Sequence, residues 1–331
     1  MKTQSELLQE FLEEWHSGKG IKAHTSGSTG TPKELILPIE QIKRSARRTV
    51  NFFGIKRNSR IHSAISFEFI GGKMMIARSL ESGCNLTYTN PSLTPEPPSP
   101  EREIALMAVV PAQLPHILQH REEFSSVKAF LRGGSAIDSR LWDKITSSGI
   151  NAWESYGMTE TASHIALRRI AGTSDRRPRF VALPGIELRA TREGCLKIKD
   201  GKVEVTTNDI VELAPDGSFT VLGRKDDMIV TGGLKVLPST IEKAIFPFIS
   251  DLTPEYFVTS VADEVWTARI VLVVREADLE RHENTKAEIE KRLAAMPEEK
   301  LQKKLRPKEI ILRAALPRTE SGKLIRTLKF S

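Results

Sequence analysis

The sequence predicts an α/β protein: a large layered α/β amino-terminal domain with a β-rich portion, followed by a small α+β carboxy-terminal domain. Two changes of texture along the 331 residues carry this reading. Up to about residue 165, short apolar strand-like runs alternate with helical patterns, as in a layered α/β core. From residue 183, short runs of alternating polarity are separated by Gly and Asp turns, as in β-hairpins. From about 225 to the end, helices and strands alternate again as a separate unit. The expected division is therefore 1–225 and 226–331.

The elements follow in order. Leu7, Leu8, Phe11, Leu12 and Trp15 fall at helical spacing over residues 5–16. "IEQIKRSARRTVNFF" repeats the pattern with Ile42, Ala46, Val50 and Phe53 on one face. "RIHSAIS" reads as a strand, 72–81 as a helix and "NLTYT" as another strand. "NPSLTPEPPSPERE" holds five prolines and reads as a loop or a linker crossing a surface. "IALMAVV", a helix near 112–122 and "VKAFLRGG" continue the core. "IELRA", "CLKIKD", "KVEVTTN", "IVELAPDGSFTVLG" and "DMIVTGG" are hairpin strands. The last segment reads as a helix at 239–246, strands near 255–274, a charged helix at 285–295 and the strand "KEIILRA".

Composition narrows the function classes. Lys and Arg total 49 against 42 Asp and Glu, a net charge of 49 − 42 = +7. That excess suits anionic small molecules. The clusters Lys43-Arg44 with Arg47-Arg48, and Arg176-Arg177-Pro178-Arg179, read as solvated faces, since no aromatic residues interleave with them for base stacking. The two cysteines, Cys84 and Cys195, form no metal-binding or redox spacing. The amino terminus is acidic and amphipathic rather than a secretory signal. No apolar run approaches the roughly 18 residues of a membrane span. The expectation is a cytoplasmic protein with no nucleic-acid partner.

The most informative stretch is "HTSGSTGTPKEL", residues 24–35. Small hydroxyl residues and glycines let backbone amides approach an anion, and Lys33 adds a cation. A flexible Ser/Thr/Gly linker has a similar composition, but elements flank this row closely. It is not a Walker loop: Gly30-Thr31-Pro32-Lys33 inserts two residues before the Lys, and no hydroxyl follows it. Four further motifs stand downstream: "ESYGMTET" (154–161), "TND" (207–209), "GRKDDMIVTGGLKVLPSTIE" (223–242) and "LPRTESGKLIR" (316–326). Each has a plain alternative. Glu160 could be a solvated carboxylate, Asp209 a hairpin-turn Asp, Gly133-Gly134 a bare turn, and Lys323 an ordinary surface lysine.

Together, and in this order, the five motifs resemble those of the acyl-adenylate-forming enzymes, from about residue 22 to the end. The resemblance implies ATP, Mg²⁺, a small carboxylic acid and CoA as ligands. It implies phosphate contacts from Thr25, Ser26, Gly27, Ser28, Thr29, Gly30 and Lys33. Thr159 would touch the α-phosphate, and Glu160 would hold the metal. Gly133, Gly134, Ser135, Ser155, Tyr156 and Gly157 would line the adenine site, and Asp209 and Arg224 the ribose site. Lys323 is the implied adenylation lysine, carried on a small domain that moves about a hinge at Asp226. Gly232, Gly233 and Lys235 would border the thiol's tunnel.

Within that family the likeness is nearest to the o-succinylbenzoate–CoA ligases of menaquinone synthesis. Phe69, Gly72, Lys73, Ser163 and His164 are the acyl-pocket candidates, with Lys73 or His164 as the cation for a second carboxylate; His164 has packing or capping as its alternative. Another acid, a carrier-protein thiol as acceptor, and a non-catalytic nucleotide binder remain open. There are departures. Asn208 stands where the family usually has Gly, Leu234 where it often has Glu, and Phe69 where many relatives have His. Only 24 residues precede the phosphate row, so an amino-terminal subdomain is expected to be missing or shortened.

Overall fold

A computed structural model describes residues 2–24, 33–134, 137–174, 176–279, 285–318 and 324–326. These form two compact units. One comprises Met1–Leu188, Ile198–Val205 and Ala214–Phe219; the other comprises Arg189–Lys197, Thr206–Leu213 and Thr220–Ser331.

The first unit opens with α1 (Gln4–Ser17). Thr3 and Glu6 cap its start reciprocally, and Gly18, at φ +69°, ends it. Strands β1 (Ile21–His24) and β2 (Glu34–Leu37) form an antiparallel hairpin with Ile21 opposite Leu37. Next comes α2 (Ile39–Phe52). The main sheet is built from β3 (Arg60–Ser63), β4 (Asn85–Tyr88), β5 (Leu106–Val109), β6 (Phe130–Arg132), β7 (Ala152–Met158), β8 (Ser163–Arg169) and β9 (Val181–Ala182). Their spatial order is β4-β3-β5-β6-β7-β8-β9, parallel from β4 to β7 and antiparallel beyond.

Parallel neighbours need crossovers, and helices supply them. They are α3 (Ile70–Ser82), α4 (Leu114–Gln119) and α5 (Ser139–Ser148). Helices on both faces explain why all four residues of β5 are buried. Leu106 and Ala108 join Ile61, Met75 and Leu131 in one cluster, while Met107 and Val109 join Phe130, Trp142 and Ile145 in another. A third cluster sets Leu7, Leu8, Phe11, Leu12 and Trp15 of α1 against Ile42 and Ala46 of α2 and Met74 and Ala77 of α3. Both cysteines are buried as free thiols.

The chain passes into the second unit through a four-stranded sheet of β10 (Ile186–Ala190), β11 (Cys195–Asp200), β12 (Val203–Leu213) and β13 (Phe219–Arg224), in that order. Strands β14 (Ile229–Thr231) and β15 (Leu234–Val236) form a hairpin closed by Gly232 and Gly233. Both glycines have positive φ, as a two-residue mirror-image turn requires. Helix α6 (Pro238–Ile249) packs Ile241, Ile245 and Ile249 against β16 (Tyr256–Asp263) and β17 (Thr267–Arg275). After α7 (Glu276–Leu279) comes α8 (Thr285–Ala295), and β18 (Glu309–Arg313) lies parallel to β17.

Three expectations differ from the structure. The helix near 112–122 is a 3₁₀ turn at Pro111–Gln113 followed by α4, which stops once Ile117 is buried. Strand β12 runs unbroken through residues 203–213, so Asp209 is a strand residue and not a hairpin turn. The basic clusters are partly turned inward. Arg44 and Arg48 both hold buried Asp200, and Arg177 lies 4.6 Å from the Trp142 ring centre.

Candidate active site

The row 25–30 lies outside the described residues, as do Ser135 and Lys323. The flanks of the row are defined: His24, at the end of β1, pairs with Glu34, at the start of β2. Lys33 stands exposed just before β2. Thr159 meets the row's start, its hydroxyl lying 3.4 Å from the His24 carbonyl oxygen.

Thr159 and Glu160 sit on a 3₁₀ turn between β7 and β8. The turn is built by close backbone approach. A Cβ on Gly157 would stand 2.2 Å from the Ser163 oxygen, so only glycine fits. Ala162 and Ser163 both have positive φ, +51° and +80°. Such strain persists only where the surroundings over-determine it. Here buried Ser45 donates to the Ala162 carbonyl at 2.7 Å, and Gln41 donates to the Glu160 carbonyl at 2.8 Å. The half-buried Glu160 carboxylate makes no ion pair or side-chain hydrogen bond among the described residues.

Beside this turn the ends of β6 and β7 come together. A Cβ on Gly133 would lie 3.3 Å from Ser155 Oγ, and that hydroxyl donates to the Arg132 carbonyl at 2.9 Å. Gly134 has φ +94°. The Tyr156 ring is half-buried against Phe219 and Phe180, at 5.1 and 5.7 Å between centroids. Those two phenylalanines stack on each other and back the tyrosine. Sequence reasoning missed both, because each stands far from Tyr156 along the chain.

In the second unit, Asp209, Arg224 and Asp226 form one cluster. Arg224 reaches Asp209 at 3.3 Å and Asp226 at 3.0 Å. Asn208 donates its amide to both Asp226 oxygens, at 3.2 and 2.9 Å. The residue that departs from the family's glycine thus has a side-chain partner. Gly232 donates its N–H to the Trp266 carbonyl at 2.9 Å, and a Cβ there would lie 2.7 Å from the Trp266 ring. Lys235 is exposed on β15.

The acyl-pocket candidates separate. Phe69 is exposed at the start of α3. Gly72 packs under the backbone of residues 66–67, where a Cβ would stand 2.1 Å from the Ser66 oxygen. Lys73 donates to the Lys22 carbonyl at 2.5 Å; burial lowers its pKa, opposed by nearby Glu14 and Glu10. The Ser163 carbonyl lies 2.7 Å from the Thr161 hydroxyl. His164 is buried, with Nε2 3.0 Å from the Thr49 hydroxyl. Burial, and then the Arg78 charge beside Nδ1, hold its pKa well below the ordinary value. It is therefore neutral and does not supply the expected cation.

Arg78 itself was missed. It is 1% exposed and has no carboxylate within ion-pair distance among the described residues; its side chain lies 3.2 Å from the Met75 sulfur and 3.5 Å from His164. Burial pulls it down to about 9, which still leaves it charged near neutrality. The available signal was an arginine set among Met74, Met75, Ile76 and Ala77, all buried.

Comparison with known proteins now decides the family. The model for "AMP-binding enzyme" matches residues 23–193, more than half of the chain. The chain belongs to the AMP-binding enzyme family. Among curated relatives, a 2-succinylbenzoate–CoA ligase from Bacillus mycoides is 25% identical, over 92% of this chain and 68% of the relative. The one from Salmonella typhimurium is 28% identical, over 76% of this chain and 57% of the relative. The chain thus spans roughly three-fifths to two-thirds of their lengths. Among solved structures, an acyl-CoA synthetase (AMP-forming)/AMP-acid ligase II-like protein from Dyadobacter fermentans is 30% identical. It covers 96% of this chain and 91% of its own, with a TM-score of 0.62. The o-succinylbenzoate CoA synthetase of Bacillus subtilis, solved with its acyl-adenylate intermediate, shares the fold at a TM-score of 0.72. It is 21% identical, over 92% of this chain and 67% of its own.

Proposed function

We propose that this member of the AMP-binding family is an ATP-dependent acid–CoA ligase acting through an acyl adenylate. The observation that carries this is the turn after β7. It sets Thr159 beside the carbonyl of His24, the residue before the Ser/Thr/Gly row, and presents Glu160 with no protein partner among the described residues. A single uncommitted carboxylate suits Mg²⁺, which takes most of its ligands from phosphates and water. When bound, the metal would neutralise phosphate charge.

In the first half-reaction an acid carboxylate oxygen bonds to the α-phosphorus of ATP as the bond to pyrophosphate breaks. Thr25–Gly30 and Lys33 would hold the departing β- and γ-phosphates, Thr159 and Lys323 the α-phosphate. Gly133–Ser135 and Ser155–Gly157 would hold adenine, and Asp209 with Arg224 the ribose. In the second, the CoA sulfur bonds to the acyl carbon, AMP leaves and the thiol proton is released. The segment 226–331 would turn about Asp226 between the two steps, bringing Gly232, Gly233 and Lys235 towards the thiol. Among the described residues no helix is long and apolar enough to cross a membrane. We place the reaction in the cytoplasm, where ATP and CoA are found.

The favoured acid is o-succinylbenzoate, as in the relatives' names. Its spare carboxylate would meet the buried cation Arg78 in place of His164. The test is pyrophosphate release over a panel of aromatic and aliphatic acids, with thioester products read by mass spectrometry. Release and a CoA thioester with o-succinylbenzoate are expected. Release without a CoA thioester would move the acceptor to a carrier protein, and no release with any acid would overturn the reading. Lys323→Ala is expected to abolish adenylation yet leave CoA attack on a supplied acyl adenylate largely intact. Equal loss of both steps would remove the two-conformation scheme.

A further inference from the structure

Glu154, immediately before the segment assigned to adenine, has no part in the scheme above. It lies in direct cross-strand register with Arg132 on β6 and Arg168 on β8. All three side chains meet: Arg132 pairs with one Glu154 oxygen, and Arg168 reaches the other at 2.7 Å. Arg132 is 1% exposed and Glu154 5%. A third guanidinium, Arg177, lies 4.6 Å from the Trp142 ring centre, and Arg168 lies 5.0 Å from the same centre.

This is an unfavourable way to fill a core. One carboxylate is shared by two guanidiniums, and burial together with neighbouring arginines pulls Arg132 down to about 9. Apolar residues of similar volume often stabilise such a site as well or better. What the network does offer is geometry on two sides of the nucleotide site. Arg132 immediately precedes Gly133, and its carbonyl receives the Ser155 hydroxyl. The Arg168 guanidinium lies 4.2 Å from the Phe180 ring centre, and Phe180 backs Tyr156. We propose that Glu154 is a positioning residue: through Arg132 and Arg168 it fixes the Gly133–Gly134 turn and the Tyr156 ring relative to each other, and so sets the affinity for ATP.

The inference rests on the ATP-dependent reading, so calorimetric titration of the parent chain with ATP comes first. No binding there would remove that reading and this inference with it. With binding established, Glu154→Gln is expected to raise the KM for ATP by about tenfold or more, with kcat at saturating ATP within about threefold. Glu154→Asp should recover part of the loss. Because Glu154→Gln takes the carboxylate away from two guanidiniums, a second variant is needed, R132M/E154L/R168M. It is expected to match the parent's denaturation midpoint while its KM for ATP stays raised. Recovery of both the midpoint and the KM in that variant would show that the network only fills space. An unchanged KM in Glu154→Gln would overturn the proposal directly.

Discussion

The turn after β7 and the cluster at Asp209 both present polar groups assigned to ATP, and they are held in opposite ways. The turn is set by packing: a glycine with no room for a Cβ, two non-glycine residues at positive φ, and buried Gln41 and Ser45 fastening its carbonyls. The cluster is set by charge: Arg224 spans two carboxylates, and exposed Asn208 braces one of them. Packing fixes a geometry at a cost in strain. Partly exposed ion pairs contribute little to stability and rearrange easily. A site that must hold still a carboxylate proposed to bind metal, and a segment expected to hinge, call for these two constructions respectively.

The largest effect that would break this comparison is expected from Gly157→Ala. The added Cβ meets backbone, not a flexible side chain, so a loss of about 4 kcal/mol is expected in denaturant unfolding. Near-parental stability would mean the turn is not over-determined. The same packed unit should be sensitive to acid through His62, whose pKa burial lowers to about 4. The unfolded state takes up this proton near pH 6.5 and the folded state only near 4. The histidine's contribution is thus present above pH 6.5 and lost as pH falls through that window, about 3 kcal/mol in all. His62→Asn should flatten that slope in unfolding curves measured from pH 7 to 4. Ser163→Gly should relieve backbone strain, raising stability by about 1 kcal/mol while lowering adenylation, read as pyrophosphate release. The smallest effect is expected in the charge-held cluster: Asn208→Ala should stay within about 0.5 kcal/mol of the parent. A loss several times larger would erase the distinction between the two regions.

Much of the fold was legible because periodicity reports burial. The α1 face follows directly from apolar spacing, and the charged helix read at 285–295 is α8. Strand β12 was cut in two because Asn208 and Asp209 look like turn residues locally; the partners that keep them in a strand, Arg224 and Asp226, lie at least 15 positions away. Strand β8 was unread because "SHIALRR" continues directly from a motif and shows no alternation. His164 and Arg78 failed for a shared reason. A polar residue in an apolar run is ambiguous until its neighbours are known, and here each is the other's neighbour. The motif positions were readable as chemistry, whereas the aromatic backing of Tyr156 by Phe180 and Phe219 depends on chain crossings that no local pattern records.

Both native thiols are buried, and burial raises the pKa of Cys84 as its first cause. The protein is therefore nearly silent toward maleimides and similar reagents as it stands. A cysteine introduced at exposed Val265 in one compact unit, and another at exposed Leu93 in the other, would each be labelled selectively. The chain comes ready for paired fluorophores or spin labels without prior removal of its own sulfurs. The rotation expected about Asp226 can then be followed as a distance during turnover.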